Sequence, residues 1–200
     1  RSTTRNGIPR ISCGAIREIG AKVIDADRLG HSLYKIPTVK EQMIETFGQE
    51  ILDDKGDIDR KIVAERVFSD LKELDKLNKI VEKPLISKLR AEIYRIRDDG
   101  FPGVVIVDAA LLPRWSELIR LFDFIVLVEA PRWQRINRLV ENREMSPEDA
   151  EKRIDVLEKL YDYFYPNINY NIKNSGNEHE FRAKVVKVWL DIKSVISQEK

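Results

Sequence analysis

Val23-Ile24-Asp25-Ala26-Asp27-Arg28-Leu29-Gly30-His31 carries two carboxylates at the point where a short apolar run stops. Ala21 to Ile24 reads as the end of a buried strand, because the branched side chains of Val and Ile suit a pleated, packed surface. Asp25 and Asp27 lie two apart. On a continuing strand they share a face; in a strand-to-helix turn they crowd one edge. In an open parallel sheet that carboxyl edge is where ligands bind. Acidic side chains there can hold a metal or take a proton from a hydroxyl. The plainer alternative is that one Asp caps the following helix while the other is solvated, since caps favour Asp.

Two further runs have the same form. Val104 to Val107 is continuously apolar and closes on Asp108; Phe124 to Val128 closes on Glu129. Runs without polar alternation predict strands buried on both faces, as in parallel sheets. Leu111 to Leu121, between them, is long enough for a crossover helix. Gly14 to Ile19 is a short helical stretch ahead of the first strand. Gly30 to Phe47 reads as helical on both sides of Pro37. Asp53 to Asp57 is a turn, Ile58 to Phe68 is helical, and Leu71 to Val81 has the same spacing. After Pro84, Leu85, Leu89, Ile93 and Ile96 mark a long helix that Asp98-Asp99-Gly100 ends. A basic helix covers Arg132 to Arg143, and Ser146-Pro147-Glu148-Asp149 starts another. Asn169 to Ile172 is a last short strand, Lys173 to Asn177 its turn, and Phe181 to Ile196 a closing amphipathic helix. Strands alternating with helices predict an α/β fold with a doubly wound parallel sheet.

Composition narrows the class. The 200 residues suit one α/β domain with an appendage. Apolar content of 42% with 34% charged residues fits a globular chain. The net charge of +1 predicts neither nucleic acid nor a membrane as partner. Cys13 is the single cysteine, which excludes an internal disulfide framework. No apolar run approaches the ~20 residues of a membrane span. A cytoplasmic protein is the expectation.

The acids at strand ends, Asp25, Asp27 and Asp108, combine with Arg132, Arg135, Arg138 and Arg143 on the basic helix to suggest a phosphate site. Carboxylates serve Mg²⁺ and an acceptor hydroxyl; arginines neutralise the charge in transfer. Taken alone, the arginines read as an ordinary solvated face.

The chain resembles the dephospho-coenzyme A kinase family over nearly its whole length from about Gly14. The resemblance rests on Gly20 to His31, Phe47-Gly48 with Ile51-Leu52-Asp53, Ile58-Asp59-Arg60 with Val67-Phe68, and Pro84-Leu85-Ile86. It continues through Val107 to Leu112, Arg138 to Ser146, and Ile172 to Gly176. It implies a three-layer P-loop kinase fold, with a parallel sheet, a helical acceptor-binding region over about 31–98 and a lid over about 132–160, in one domain. The implied reaction moves the γ-phosphoryl of ATP, with Mg²⁺, to the ribose 3′-hydroxyl of dephospho-coenzyme A. By family position Asp27 is the general base. Asp25 assists with the metal or holds the turn, and Asp108 is the second acidic strand end. Arg138 and Arg143 neutralise the phosphoryl group when the lid closes, and Asn174 and Gly176 lie in the loop near the adenine. For His31 and Arg60, capping or ion pairing ranks above substrate contact. A P-loop nucleoside or nucleotide kinase of another specificity is the alternative within this class.

One motif departs from the family. A P-loop has Gly-x-x-x-x-Gly-Lys-[Ser/Thr], whose backbone N–H groups and Lys cradle the phosphates. Counting back from Gly20 puts Pro9 at the Lys, Ile8 at the preceding Gly and Arg10 at the Ser/Thr. Pro9 brings neither charge nor a backbone donor. Gly7 and Arg10 offer at best a weak anion contact. The fold's first strand, which precedes the P-loop in the family, is likewise absent from this stretch. Residues 1–12 therefore stand as a truncation, fusion scar or frame artefact of an ordinary kinase. They also fit an impaired pseudokinase that binds coenzyme A precursors or a protein partner, or a chain with a different phosphate site.

Overall fold

A computed structural model describes residues 20–112, 115–160 and 168–198. The expected helical stretch at Gly14 to Ile19, Cys13 and the whole of residues 1–12 lie outside them. Residues 24–109 make one compact unit; the described residues up to Val23 and from Ala110 onward make the other.

β1 (Lys22–Asp25), whose last two residues belong to the first unit, runs directly into α1 (Ala26–Leu33). Asp25 is the cap: its Oδ1 accepts from the Arg28 N–H at 2.9 Å. The helix thus begins four residues before the Gly30 boundary read from the sequence, and Asp27 sits in its first turn rather than on a strand. Pro37 at the first position opens α2 (Pro37–Phe47), in keeping with its preset φ and missing donor. Asp53 organises the turn that follows. Its Oδ1 accepts from the N–H groups of Lys55 and Asp57, and Gly56 supplies a φ of 76°. Asp59 then caps α3 (Arg60–Ser69), accepting from Lys61 and Ile62.

The long helix α4 (Leu71–Asp98) is one element of 28 residues. The sequence suggests a boundary at Pro84, yet the helix runs through it. Proline cannot donate to the Ile80 carbonyl, and burial of Leu74 and Leu77 before it and Leu85, Leu89 and Ile96 after it holds both halves on one packed face. That face meets α1, α2 and α3, around the fully buried Leu33, Met43, Phe47, Ile51 and Leu89. β2 (Val105–Asp108) is the neighbour of β1 in a two-stranded sheet, so two of the three acids close adjacent strands.

In the second unit, α5 (Ser116–Ile119) is a single turn. Of the crossover helix expected over Leu111 to Leu121, the described residues form an α-helix only over Ser116–Ile119: the Trp115 N–H donates to the Leu112 carbonyl in a turn, and Trp115 offers α5 no side-chain cap. β3 (Val126–Glu129) pairs in parallel with β4 (Tyr170–Lys173), Val128 opposite Ile172. Val126 is 38% exposed, although its run reads as buried on both faces; among the described residues β3 has β4 as its one neighbour. Among the described residues the strands pair two by two, β1 with β2 and β3 with β4. α6 (Arg132–Arg143) packs on α7 (Pro147–Leu160), burying Leu139, Ala150 and Ile154. Ser146 caps α7 as its sequence predicts, accepting from the Asp149 N–H at 3.1 Å. α8 (Glu178–Gln198) lays Phe181 and Val185 on Ile172, with Val128 and Val188 packed around them.

Candidate nucleotide site

Arg138 stands in the middle of α6 with four residues between it and Arg143, the last residue of that helix. Its guanidinium is half-buried and faces no carboxylate at ion-pair distance among the described residues. Nη2 donates to Gln134 Oε1 at 3.3 Å and to Asn174 Oδ1 at 3.2 Å. Nη1 is buried without a partner among the described residues. Burial pushes the guanidinium below its ordinary pKa, against the opposing pull of Glu141. A cation left desolvated with an open donor is costly to a fold, and such sites are arranged for anions.

Asn174 follows β4 directly and is only 1% exposed. Its N–H donates to the Glu129 carbonyl at 2.7 Å, fixing the loop to the end of β3. Its Nδ2 is also buried and unpartnered among the described residues. Gln134 Nε2 donates to the Ser175 carbonyl at 2.9 Å, and Lys184 Nζ reaches the Lys173 carbonyl. At Gly176 a Cβ would run into the Glu180 carboxylate. Asn177 then caps α8 through the Glu180 N–H. The arrangement brings Arg138, Asn174 and the Ser175-Gly176 backbone to the carboxyl ends of β3 and β4. Two buried donors there can serve one acceptor-rich, anionic ligand such as a nucleotide.

The acids occupy the other unit. Asp25 and Asp108 are the last residues of β1 and β2, and Asp27 is half-buried in the first turn of α1. Asp25 already spends one oxygen as a cap, so the plainer sequence reading holds for that oxygen. His31 lies in the last turn of α1, edge-on to Tyr34, and Arg60 is the first residue of α3. Among the described residues no three His, Cys, Asp or Glu side chains converge as a metal cage. Gly7 and Arg10 lie outside the described residues.

A profile described as dephospho-CoA kinase matches residues 10–187. The chain belongs to the dephospho-CoA kinase family. A dephospho-CoA kinase of Aquifex aeolicus is 34% identical over 193 residues, covering 91% of this chain and 93% of that protein. One of Syntrophus aciditrophicus is 30% identical, covering 91% and 80%. Among solved structures, a Thermus thermophilus protein superposes with a TM-score of 0.64 at 23% identity, over 90% of this chain and 88% of that one. The dephospho-CoA kinase from Campylobacter jejuni gives 0.54 at 21% identity, over 91% and 90%. These likenesses show the P-loop kinase-like fold. No helix among the described residues is long and apolar enough to cross a membrane.

Two residues of this dephospho-CoA kinase family member escape sequence reasoning. Gln134 was signalled only by its spacing, one turn before Arg138 on the same helix face. Arg153 in α7 is 7% exposed. Its sequence context reads as one more charge on a solvated helix.

Proposed function

We propose that this chain phosphorylates the 3′-hydroxyl of the dephospho-coenzyme A ribose at the expense of ATP. The observation that carries the reading is the Arg138–Asn174 pair, which leaves two buried donors open in a chain of this family. Such donors fit phosphate oxygens and a purine's ring nitrogens. Bound ATP with Mg²⁺ supplies the electrophilic γ-phosphoryl group and neutralises part of its charge. Arg138 donates Nη1 to a phosphate oxygen and adds charge where it develops. Arg143, the last residue of α6 and with its side chain outside the described residues, is the second phosphate arginine that the family resemblance implies. Asn174 and the Gly176 backbone orient the base. Asp27 accepts the proton of the attacking hydroxyl, a task that suits a half-buried carboxylate at a helix start. Asp25 holds the turn through its cap. Asp25 and Asp108, at the ends of β1 and β2, are the carboxylates that would hold Mg²⁺, which would neutralise part of the phosphate charge.

Residues 8–10 favour a second reading. Ile8-Pro9-Arg10 lacks the glycine, lysine and hydroxyl of a phosphate cradle. A chain so altered would bind dephospho-coenzyme A without phosphorylating it. Transfer from Mg²⁺-ATP to dephospho-coenzyme A separates the two: labelled product supports the kinase, and acceptor binding without product supports the second reading.

A further inference from the structure

The amide of Gln134 is used at both ends. Its Nε2 donates to the Ser175 carbonyl at 2.9 Å, and its Oε1 accepts from Arg138 Nη2 at 3.3 Å. A flipped amide would set donor against donor and acceptor against acceptor, so chemistry fixes its orientation. Nη2 is shared with Asn174 Oδ1, and Asn174 is itself anchored to Glu129. One nitrogen of the guanidinium is thereby pinned by a helix residue and by a loop residue, while the other, Nη1, is buried and makes no hydrogen bond among the described residues.

We infer that Gln134 is a positioning residue that couples the Asn174–Gly176 loop to Arg138, so that a base held by the loop and a phosphate held by Nη1 are read together. This rests on the nucleotide reading of the site. Without Gln134 the loop would keep Asn174, but the guanidinium would lose one of its two acceptors and the Ser175 carbonyl its donor. Arg138 would then sample several rotamers, and nucleotide binding would have to order it again.

The test uses the full chain as Gln134→Ala, Arg138→Ala and the double variant, with MgATP affinity measured by calorimetry. The expected result is a loss of about fivefold or more for Gln134→Ala when Arg138 is present, and less than about twofold when it is absent. Equal losses in both backgrounds would overturn the inference. A second readout needs no ligand: nitrogen-15 relaxation of the Arg138 side chain, checked against an unchanged melting temperature. Gln134→Ala should mobilise the guanidinium, whereas Gln134→Glu, which keeps the acceptor, should leave it ordered. A guanidinium equally ordered in Gln134→Ala would overturn the inference. Should the wild-type chain bind no MgATP, the nucleotide reading fails, and the relaxation result alone decides the role of Gln134.

Discussion

Arg138 Nη2 donates to Asn174 Oδ1 at 3.2 Å, and the bond leaves the partner nitrogens, Nη1 of one and Nδ2 of the other, buried and open among the described residues. Each side chain thus satisfies half of its neighbour and keeps its remaining donor buried away from solvent. Arg138→Ala should weaken MgATP binding about 10- to 100-fold, the usual range for a hydrogen bond to a charged group. Arg138→Lys should recover little, because a lysine cannot hold Asn174 and a phosphate through a planar fork. Calorimetry on the three chains checks this.

Asp25 and Asp27 should separate by phenotype. Asp25→Ala removes the cap on Arg28 and should cost about 1 kcal/mol in denaturant unfolding, whereas Asp25→Asn retains it. Asp27→Asn should leave stability and nucleotide binding near wild type while turnover falls about 10²- to 10⁴-fold. Near-normal turnover of Asp27→Asn would remove it as the base.

Glu144 closes α6 with a φ of 53°, in the left-handed region and exposed to solvent. A Cβ there is strained, and glycine is the usual occupant of such a helix end. Glu144→Gly should therefore stabilise the chain, by up to about 1 kcal/mol. A lower melting temperature would show that the Glu144 side chain outweighs the strain.

Arg66 joins three elements: it donates to the Phe47 carbonyl at 2.6 Å and pairs with Glu50 and Glu73. Both carboxyls are held below the ordinary glutamate range. Glu50 is held there first by its own backbone N–H and then by Arg66. For Glu73 the first cause is Lys76, with Arg66 further down. A depressed carboxyl contributes stability above its unfolded pKa and loses it as pH falls through the folded one. Melting temperatures should therefore drop on acidification below the ordinary glutamate range, and less steeply in Arg66→Gln. Water and salt screen the Arg66–Glu50 pair, and the partly buried Arg66–Glu73 pair less, so the difference should shrink as salt is added.

What could be read in the chain, and what could not, follows from the range of each interaction. The helix start at Ser146 is legible because the cap lies within three residues of what it caps; those at Pro37 and Asp59 fall inside longer stretches that the sequence reads as helical. The strands ending in Asp25, Asp108 and Glu129 are legible from unbroken apolar runs. α4 defeats the local rule, since tertiary burial on both sides of Pro84 outweighs one lost hydrogen bond. The short α5 defeats it in the other direction, because apolar spacing over Leu111 to Leu121 does not supply a cap. At the site, Arg138 and Asn174 are visible through family resemblance. Gln134 is not, because what defines it is a carbonyl 41 residues away in sequence.

Phosphoryl transfer from γ-labelled Mg²⁺-ATP to dephospho-coenzyme A, with the full chain and its Arg138→Ala variant side by side, tests the kinase reading most directly. Label is expected on the ribose 3′-oxygen of the product from the full chain, and its loss in the variant. No labelled product from the full chain, or equal product from both, would contradict it.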